Sequence, residues 1–175
     1  VTPAPVTIIK IVAADEFANP LKDGSGNYLS VNETPEGGHT YYVALAFKSG
    51  STVFNDASKL AIQEGTVDFT FKDGTATTSD YTPQTGLTTI TLGTAVSADA
   101  LDDYIADNGE KFTVTISNYV PTLSSNYGSV TINGSGVTTT ITDNSTTTLN
   151  DNSTIETMQE TVILKIVACD SNGEP

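Results

Sequence analysis

Two stretches of the chain alternate in a way that only an extended strand can use. Val67, Phe69 and Phe71 are separated by Asp68, Thr70 and Lys72, and Phe112, Val114 and Ile116 by Thr113 and Thr115. Successive side chains of a strand point to opposite faces, so this period sends one face into a core and the other into water. Tyr41, Val43, Leu45 and Phe47 alternate along one face of a further strand, although Tyr42, Ala44 and Ala46 leave its other face partly apolar. Ile90 with Leu92, Val130 with Ile132 and Val137 with Ile141 supply shorter matches.

Thr and aromatic residues fill these runs, and Gly or Asn-Gly breaks separate them, which indicates antiparallel strands with one buried face. About seven strands over roughly 140 residues predict an all-β, immunoglobulin-like antiparallel β-sandwich with enlarged loops. Two segments depart from the pattern. Asp56–Ile62 and Ser97–Asp107 carry Leu and Ile at helical spacing, Leu101 and Ile105 being four apart, which predicts short helical turns in loops.

The chain also repeats itself. Residues 7–15 read Thr-Ile-Ile-Lys-Ile-Val-Ala-Ala-Asp and residues 162–170 read Val-Ile-Leu-Lys-Ile-Val-Ala-Cys-Asp, so Lys10 aligns with Lys165, Asp15 with Asp170 and Pro20 with Pro175 at an offset of 155. Repetition at the length of a whole domain predicts beads on a string, not a solenoid of short units. The expected organisation is a sandwich unit over 1–144, an acidic Thr/Asn-rich linker over 145–160 and the first strand of the next unit over 161–175. Residues 143–160 hold four acids and no cation, too little apolar surface to order themselves.

Composition removes several classes of function. The net charge is −14, and all seven cations are Lys. Without Arg there is no bidentate clamp for phosphate or carboxylate, and so acidic a chain repels nucleic acid and anionic membrane. Apolar runs are only a few residues long, too short for direct membrane insertion as a helix, and no N-terminal segment reads as a signal peptide. A single Cys and a single His argue against a disulfide framework, a Cys-based zinc site and a Ser-His-Asp triad. No nucleophile elbow, phosphate loop or acid–base constellation beyond generic carboxylates is present, so no enzyme is expected. Poverty in Cys with 30 Thr is a composition common in extracellular bacterial proteins.

The acids are unevenly placed. Asp99, Asp102, Asp103, Asp107 and Glu110 lie within twelve residues, just before the strand that starts at Lys111. Glu33 and Glu36 precede the strand from Thr40, Asp80 follows the hairpin-like Asp73-Gly74, and Asp143 ends the strand from Val137. Loops at one end of a sandwich gather in space, so acids at several strand ends can converge there. Converging carboxylates repel unless a cation neutralises them, and Ca²⁺ suits such a site because it accepts six to eight oxygens in loose geometry. The competing reading is that these acids are solvated loop residues.

In order, these motifs resemble Calx-β domains. Asp73-Gly74-Thr75-Ala76-Thr77-Thr78-Ser79-Asp80-Tyr81-Thr82 is similar to the family signature. The run from Asp102 to Phe112 resembles its acidic connection, and Val137–Asp143 its closing strand. The resemblance covers roughly residues 31–144. Taken with the 155-residue period, the chain is similar to repeat units of very large type I-secreted bacterial surface adhesins, the RTX or biofilm adhesins. It implies Ca²⁺ ligands at Glu33 or Glu36, then Asp80, Asp103, Asp107, Glu110 and Asp143. The early motif is split by Thr34-Pro35, so the choice between Glu33 and Glu36 is open. The closing run is reduced to Asp143-Asn144, which implies fewer ions or weaker binding.

Asp15 and its copy Asp170 offer a second candidate site, since Asp170-Ser171-Asn172-Gly173-Glu174 places oxygens at alternate positions of a Gly-containing loop. Asp23-Gly24-Ser25-Gly26-Asn27 has the same look, and a plain turn explains each string equally. Lys10 and Asn144 bear on a further chemistry, a covalent Lys–Asn cross-link, against which stands an ordinary strand Lys whose stem covers apolar surface. His39 reads as an ordinary residue at a strand entrance, and Cys169, standing where Ala14 does, as a small packed side chain. Asn32-Glu33-Thr34, Asn133-Gly134-Ser135, Asn144-Ser145-Thr146 and Asn152-Ser153-Thr154 fit the glycosylation acceptor pattern, matches expected by chance in a Thr-rich chain.

Two functions follow from these readings. One is a Ca²⁺-stabilised structural extender at the bacterial cell surface, whose partners are neighbouring repeat units and which holds other, adhesive regions near a surface glycan or polymer. The other is a module that itself grips glycan or peptide, with Tyr28, Tyr42, Tyr81, Tyr104, Tyr119 and Tyr127 as stacking platforms.

Overall fold

The computed structural model describes residues 6–48, 60–102, 108–122 and 127–143, together with the short pieces 147–148 and 154–155. Ten strands make one compact unit. They are β1 (Val6–Ala14), β2 (Val31–Pro35), β3 (His39–Lys48), β4 (Thr66–Asp73), β5 (Tyr81–Pro83), β6 (Ile90–Thr91), β7 (Ala95–Ala100), β8 (Glu110–Val120), β9 (Ser129–Ile132) and β10 (Val137–Thr142). One sheet has the order β5-β7-β3-β1-β9 and the other β2-β10-β8-β4-β6. The protein is thus the expected all-β sandwich.

The two inner faces make the core. Ile9, Ile11 and Ala13 of β1, Tyr42, Ala44 and Ala46 of β3, and Val96, Ala98 and Ala100 of β7 cluster with Val67 and Phe69 of β4, Phe112, Val114 and Ile116 of β8, and Val137 and Ile141 of β10. Each fully buried side chain of Val, Ile or Phe size contributes about 1.5–3 kcal/mol by leaving water. Tyr81 stacks on Phe112 with ring centroids 4.0 Å apart and planes 9° from parallel. Tyr42 crosses the core, its hydroxyl bonded to Thr40 at 2.9 Å and to Thr139 of the opposite sheet at 2.5 Å.

A second apolar cluster lies on the outer face of the first sheet, where Val12, Ala14, Val43, Leu45 and Phe47 are covered by Tyr28. The segment from Asp15 to Ser30 provides that cover as the chain crosses from β1 to β2. Three amides close it into a ring: Ala13 N–H donates to the Leu29 carbonyl (2.9 Å), Leu29 N–H to Leu21 (3.0 Å) and Leu21 N–H to Ala13 (2.9 Å). Leu21 and Leu29 pack against the main core, so a loop rich in Gly, Asn and Asp is held by backbone bonds and two apolar anchors.

Three expectations need correction. Two ladders are parallel, β1 with β9 and β10 with β2, because the chain changes sheets between β1 and β2 and again between β9 and β10. The helical turn expected from Ser97 is strand up to Ala100: Val96, Ala98 and Ala100 are buried at period two, and their small side chains suit a strand between β3 and β5. At the other expected turn, Leu60 bridges antiparallel to Phe47 and Ala61 N–H donates to Ala46, so the described end of Asp56–Ile62 is extended. Leu101 and Asp102 follow the strand without helix, and residues 56–59 and 103–107 of the two segments lie outside the described residues.

A second unit takes in residues 144–175. Of it, a two-stranded antiparallel ladder is described, β11 (Thr147–Thr148) with β12 (Thr154–Ile155), inside the stretch expected to be linker. The expected strand at 161–175, with Lys165, Cys169 and Asp170, lies outside the described residues.

Candidate functional site: an acidic pole

Strand direction decides where the acids go. β1, β2, β4, β7 and β10 finish at the same end of the sandwich at which β3, β5 and β8 begin, as their registers require. Backbone bonds then lace that pole together. Glu36 N–H donates to the Thr142 carbonyl (3.0 Å), Gly37 N–H to Ala100 (3.1 Å), Leu101 N–H to Asp80 (2.8 Å) and Gly109 N–H to Ile141 (3.0 Å). Asp143 N–H donates to Asn108 Oδ1 (3.2 Å). Five separate segments therefore carry Glu36, Asp80, Asp102, Glu110 and Asp143 to one end.

The side chains there are not equivalent. Glu36 is buried at 8% exposure, whereas Glu33 is exposed on β2 three residues earlier, opposite Thr140 in the ladder. Of the two alternatives, Glu36 is the one whose backbone is tied to the strand ends. Asp80 spends its oxygens on its own turn, Oδ2 accepting from Thr77 N–H (2.6 Å) and the Thr77 hydroxyl (3.0 Å), Oδ1 from the Ser79 hydroxyl (3.1 Å). Asp103 and Asp107 lie outside the described residues.

Asp102 and Asp73 are additions from the structure. Asp102 Oδ1 is buried without a hydrogen-bond partner among the described residues. A buried carboxylate oxygen left this way costs desolvation energy that a cation offsets. Asp73 accepts the Tyr81 hydroxyl at 2.7 Å, and burial together with this carboxylate pushes the Tyr81 phenol well above its ordinary range. Asp102 was visible in the acidic run; nothing in sequence marks Asp73 as the partner of a core tyrosine. Gly74 is the required residue after Asp73, because an added Cβ would collide with the Lys111 carbonyl. A cleft of about 280 Å³ opens at Thr75, Asn108, Gly109 and Glu110.

Asp15 also reaches this pole, but its carboxylate closes a turn. Oδ1 accepts from Phe17 N–H (2.9 Å) and Asn19 N–H (2.8 Å), and Oδ2 from the Asn19 side-chain amide (2.9 Å). Asp23 repeats the arrangement with Ser25 and Asn27. The Asn19 amide bond holds the Asp15 carboxyl below its ordinary pKa, and the Asn27 bonds do the same for Asp23. Asp15, Glu33 and His39 line a cleft of about 370 Å³. His39 opens β3 and pairs with Asp99 at 2.8 Å, both side chains more than half exposed.

Hard carboxylate and carbonyl oxygens are the donor set Ca²⁺ takes, and the buried Asp102 oxygen fits that demand. Among the described residues, no three His, Cys, Asp or Glu side chains are already grouped around one point. Among the described residues, most of the tyrosines expected as stacking platforms are buried. Tyr28, Tyr42, Tyr81 and Tyr127 are buried, Tyr119 stacks on Tyr127 at 6.0 Å, and Tyr104 lies outside the described residues. Lys10 is half-buried on the outer face of β1, where burial lowers its pKa; Asn144 lies outside the described residues.

No protein-family model matches the chain, and no curated protein matches it. Among solved structures, the apo-form Calx CBD1 domain is similar, at TM-score 0.44 and 17% identity over 77% of this chain and 96% of that one. CBD12 from CALX1.2 is similar at TM-score 0.43 and 16% identity, over 77% of this chain and 45% of that one.

Proposed function

We propose that this chain is a Ca²⁺-stabilised structural extender repeat of a bacterial cell-surface adhesin, extracellular and without catalytic activity. One observation carries the reading: strand direction delivers Glu36, Asp80, Asp102, Glu110 and Asp143 from five segments to one laced pole. So many carboxylates at one end of a chain of net charge −14 repel one another. Glu36, Asp102, Glu110 and Asp143 would hold the ion, with Asp103 and Asp107 of the same acidic connection; Asp80 holds its turn in place. When bound, Ca²⁺ supplies charge neutralisation and a cross-link between strand ends.

The repeat at an offset of 155 supports an array whose units supply length. Burial of four of the six candidate tyrosines argues against the unit itself as a glycan-gripping module. The partners of the unit are its neighbours in the array, and adhesion to a surface belongs to other regions. Small-angle scattering of several tandem units tests the role. The reading predicts a longer, stiffer particle in millimolar Ca²⁺ than in EDTA. Equal dimensions in both would contradict it.

A further inference from the structure

The string Asn133-Gly134-Ser135 sits where the chain leaves β9 and crosses to β10 in the other sheet. Asn133 N–H donates to the Ile9 carbonyl (2.8 Å), which fixes the residue against β1. Its Oδ1 accepts from Ser135 N–H (2.9 Å), which folds the side chain back over the following backbone. Gly134 is exposed, a Cβ there would meet nothing within 4 Å, and no hydrogen bond to a described residue engages its N–H.

We propose that Asn133 is a site of spontaneous covalent modification, intramolecular deamidation through a cyclic imide. The Gly134 nitrogen gives up its proton and bonds to Asn133 Cγ; the Cγ–Nδ2 bond breaks and ammonia leaves. Water then adds to one of the two imide carbonyls and opens the ring to aspartate or to isoaspartate. No oxidant or reductant is needed. Three features favour the first step: Gly offers an unhindered nitrogen, that nitrogen is not tied up in the fold, and Ser135 N–H faces the oxygen on which negative charge develops.

The other described Asn-Gly pair is built the opposite way. Gly109 N–H donates to the Ile141 carbonyl (3.0 Å), and Asn108 Oδ1 holds Asp143 N–H (3.2 Å). Attack at Asn108 must first break bonds that lace the pole, which slows it by about tenfold for one such bond. Modification at Asn133 has a structural consequence, because isoaspartate lengthens the main chain beside Gly136. That glycine lies so close to the Val114 carbonyl that an added Cβ would collide with it.

The test is peptide mass spectrometry on the folded chain, aged for days at mildly alkaline pH, with a parallel sample in urea. Residue 133 gains acid and isoaspartate about tenfold faster than residue 108 when folded, and the two rates converge in urea. Gly134→Ala slows the reaction at 133 by at least that factor with the melting temperature unchanged. Equal rates at 108 and 133 in the folded chain, or an intact Asn133 in folded protein that deamidates in urea, would overturn the proposal.

Discussion

Asp15 and Asn19 grip each other through both main chain and side chain. Asp15 N–H donates to the Asn19 carbonyl (2.9 Å), while the Asp15 carboxylate receives the Asn19 backbone N–H (2.8 Å) and side-chain amide (2.9 Å). Asp23 and Asn27 repeat the arrangement eight residues later. An acid so engaged serves the crossing from β1 to β2. These bonds favour the charged carboxylate, so its pKa is lowered in the native state, and the stability they add is present above the ordinary Asp range and lost as pH falls through the native pKa. Asp15→Ala therefore lowers the melting temperature at neutral pH, and the gap from the parent closes in acid. A gap that persists unchanged at low pH would show that the ionised carboxylate is not the cause.

Tyr42 sets an alkaline limit. Burial pushes its phenol up to about 12 against the ordinary 10. The unfolded chain gives up this proton first, so Tyr42's contribution holds below pH 10 and is lost as pH rises towards 12, about 2–3 kcal/mol for this one group. Tyr42→Phe removes this share of the dependence, Tyr81 keeping its own, and takes away the bond to the buried Thr139 hydroxyl, which costs about 1–3 kcal/mol at neutral pH. Phenolate absorbance followed alongside unfolding checks both.

Aromatic position, not aromatic identity, predicts the cost of truncation. Phe112 is 1% exposed and stacks on Tyr81 and Phe71, whereas Phe17 is 76% exposed at the tip of the Asp15 turn. Phe112→Ala is expected to cost about 3–5 kcal/mol, and Phe17→Ala to stay within about 0.5 kcal/mol. Chemical denaturation of the two variants measures the difference.

Much of this architecture was legible because period two survives in a half-buried strand: β4, β8 and β10 lie where Val67–Phe71, Phe112–Ile116 and Val137–Ile141 alternate. β3 was harder, since Tyr42, Ala44 and Ala46 face the main core while Val43, Leu45 and Phe47 face the second cluster. A strand buried on both faces loses its alternation, so its sequence does not say which face meets the other sheet. Helical spacing of Leu101 and Ile105 misled over Ser97–Ala100, because small apolar residues fit a crowded strand as well as a helix. The acids at strand ends were visible as residues. Which of them close turns, as Asp15 and Asp80 do, depends on amide and hydroxyl partners whose pairing no spacing rule declares.

Glu36 and Glu33 separate in one experiment. Glu36→Gln removes a buried charge from the pole, so it raises the melting temperature in EDTA and shrinks the increase that Ca²⁺ produces. Glu33→Gln, on the exposed face of β2, leaves both values near those of the parent. The reverse pattern would move the ion towards β2.

Calorimetric melting in EDTA, Mg²⁺ and Ca²⁺ tests most directly whether the acidic pole is a Ca²⁺ site. At Ca²⁺ a hundredfold above its dissociation constant, the native state gains about 2.7 kcal/mol. For a unit of this size that raises the melting temperature by roughly 8 °C. The predicted result is such a rise in Ca²⁺, a smaller one in Mg²⁺, and its disappearance in the variant carrying both Glu36→Gln and Glu110→Gln. The same melting temperature in EDTA and in millimolar Ca²⁺ would contradict it.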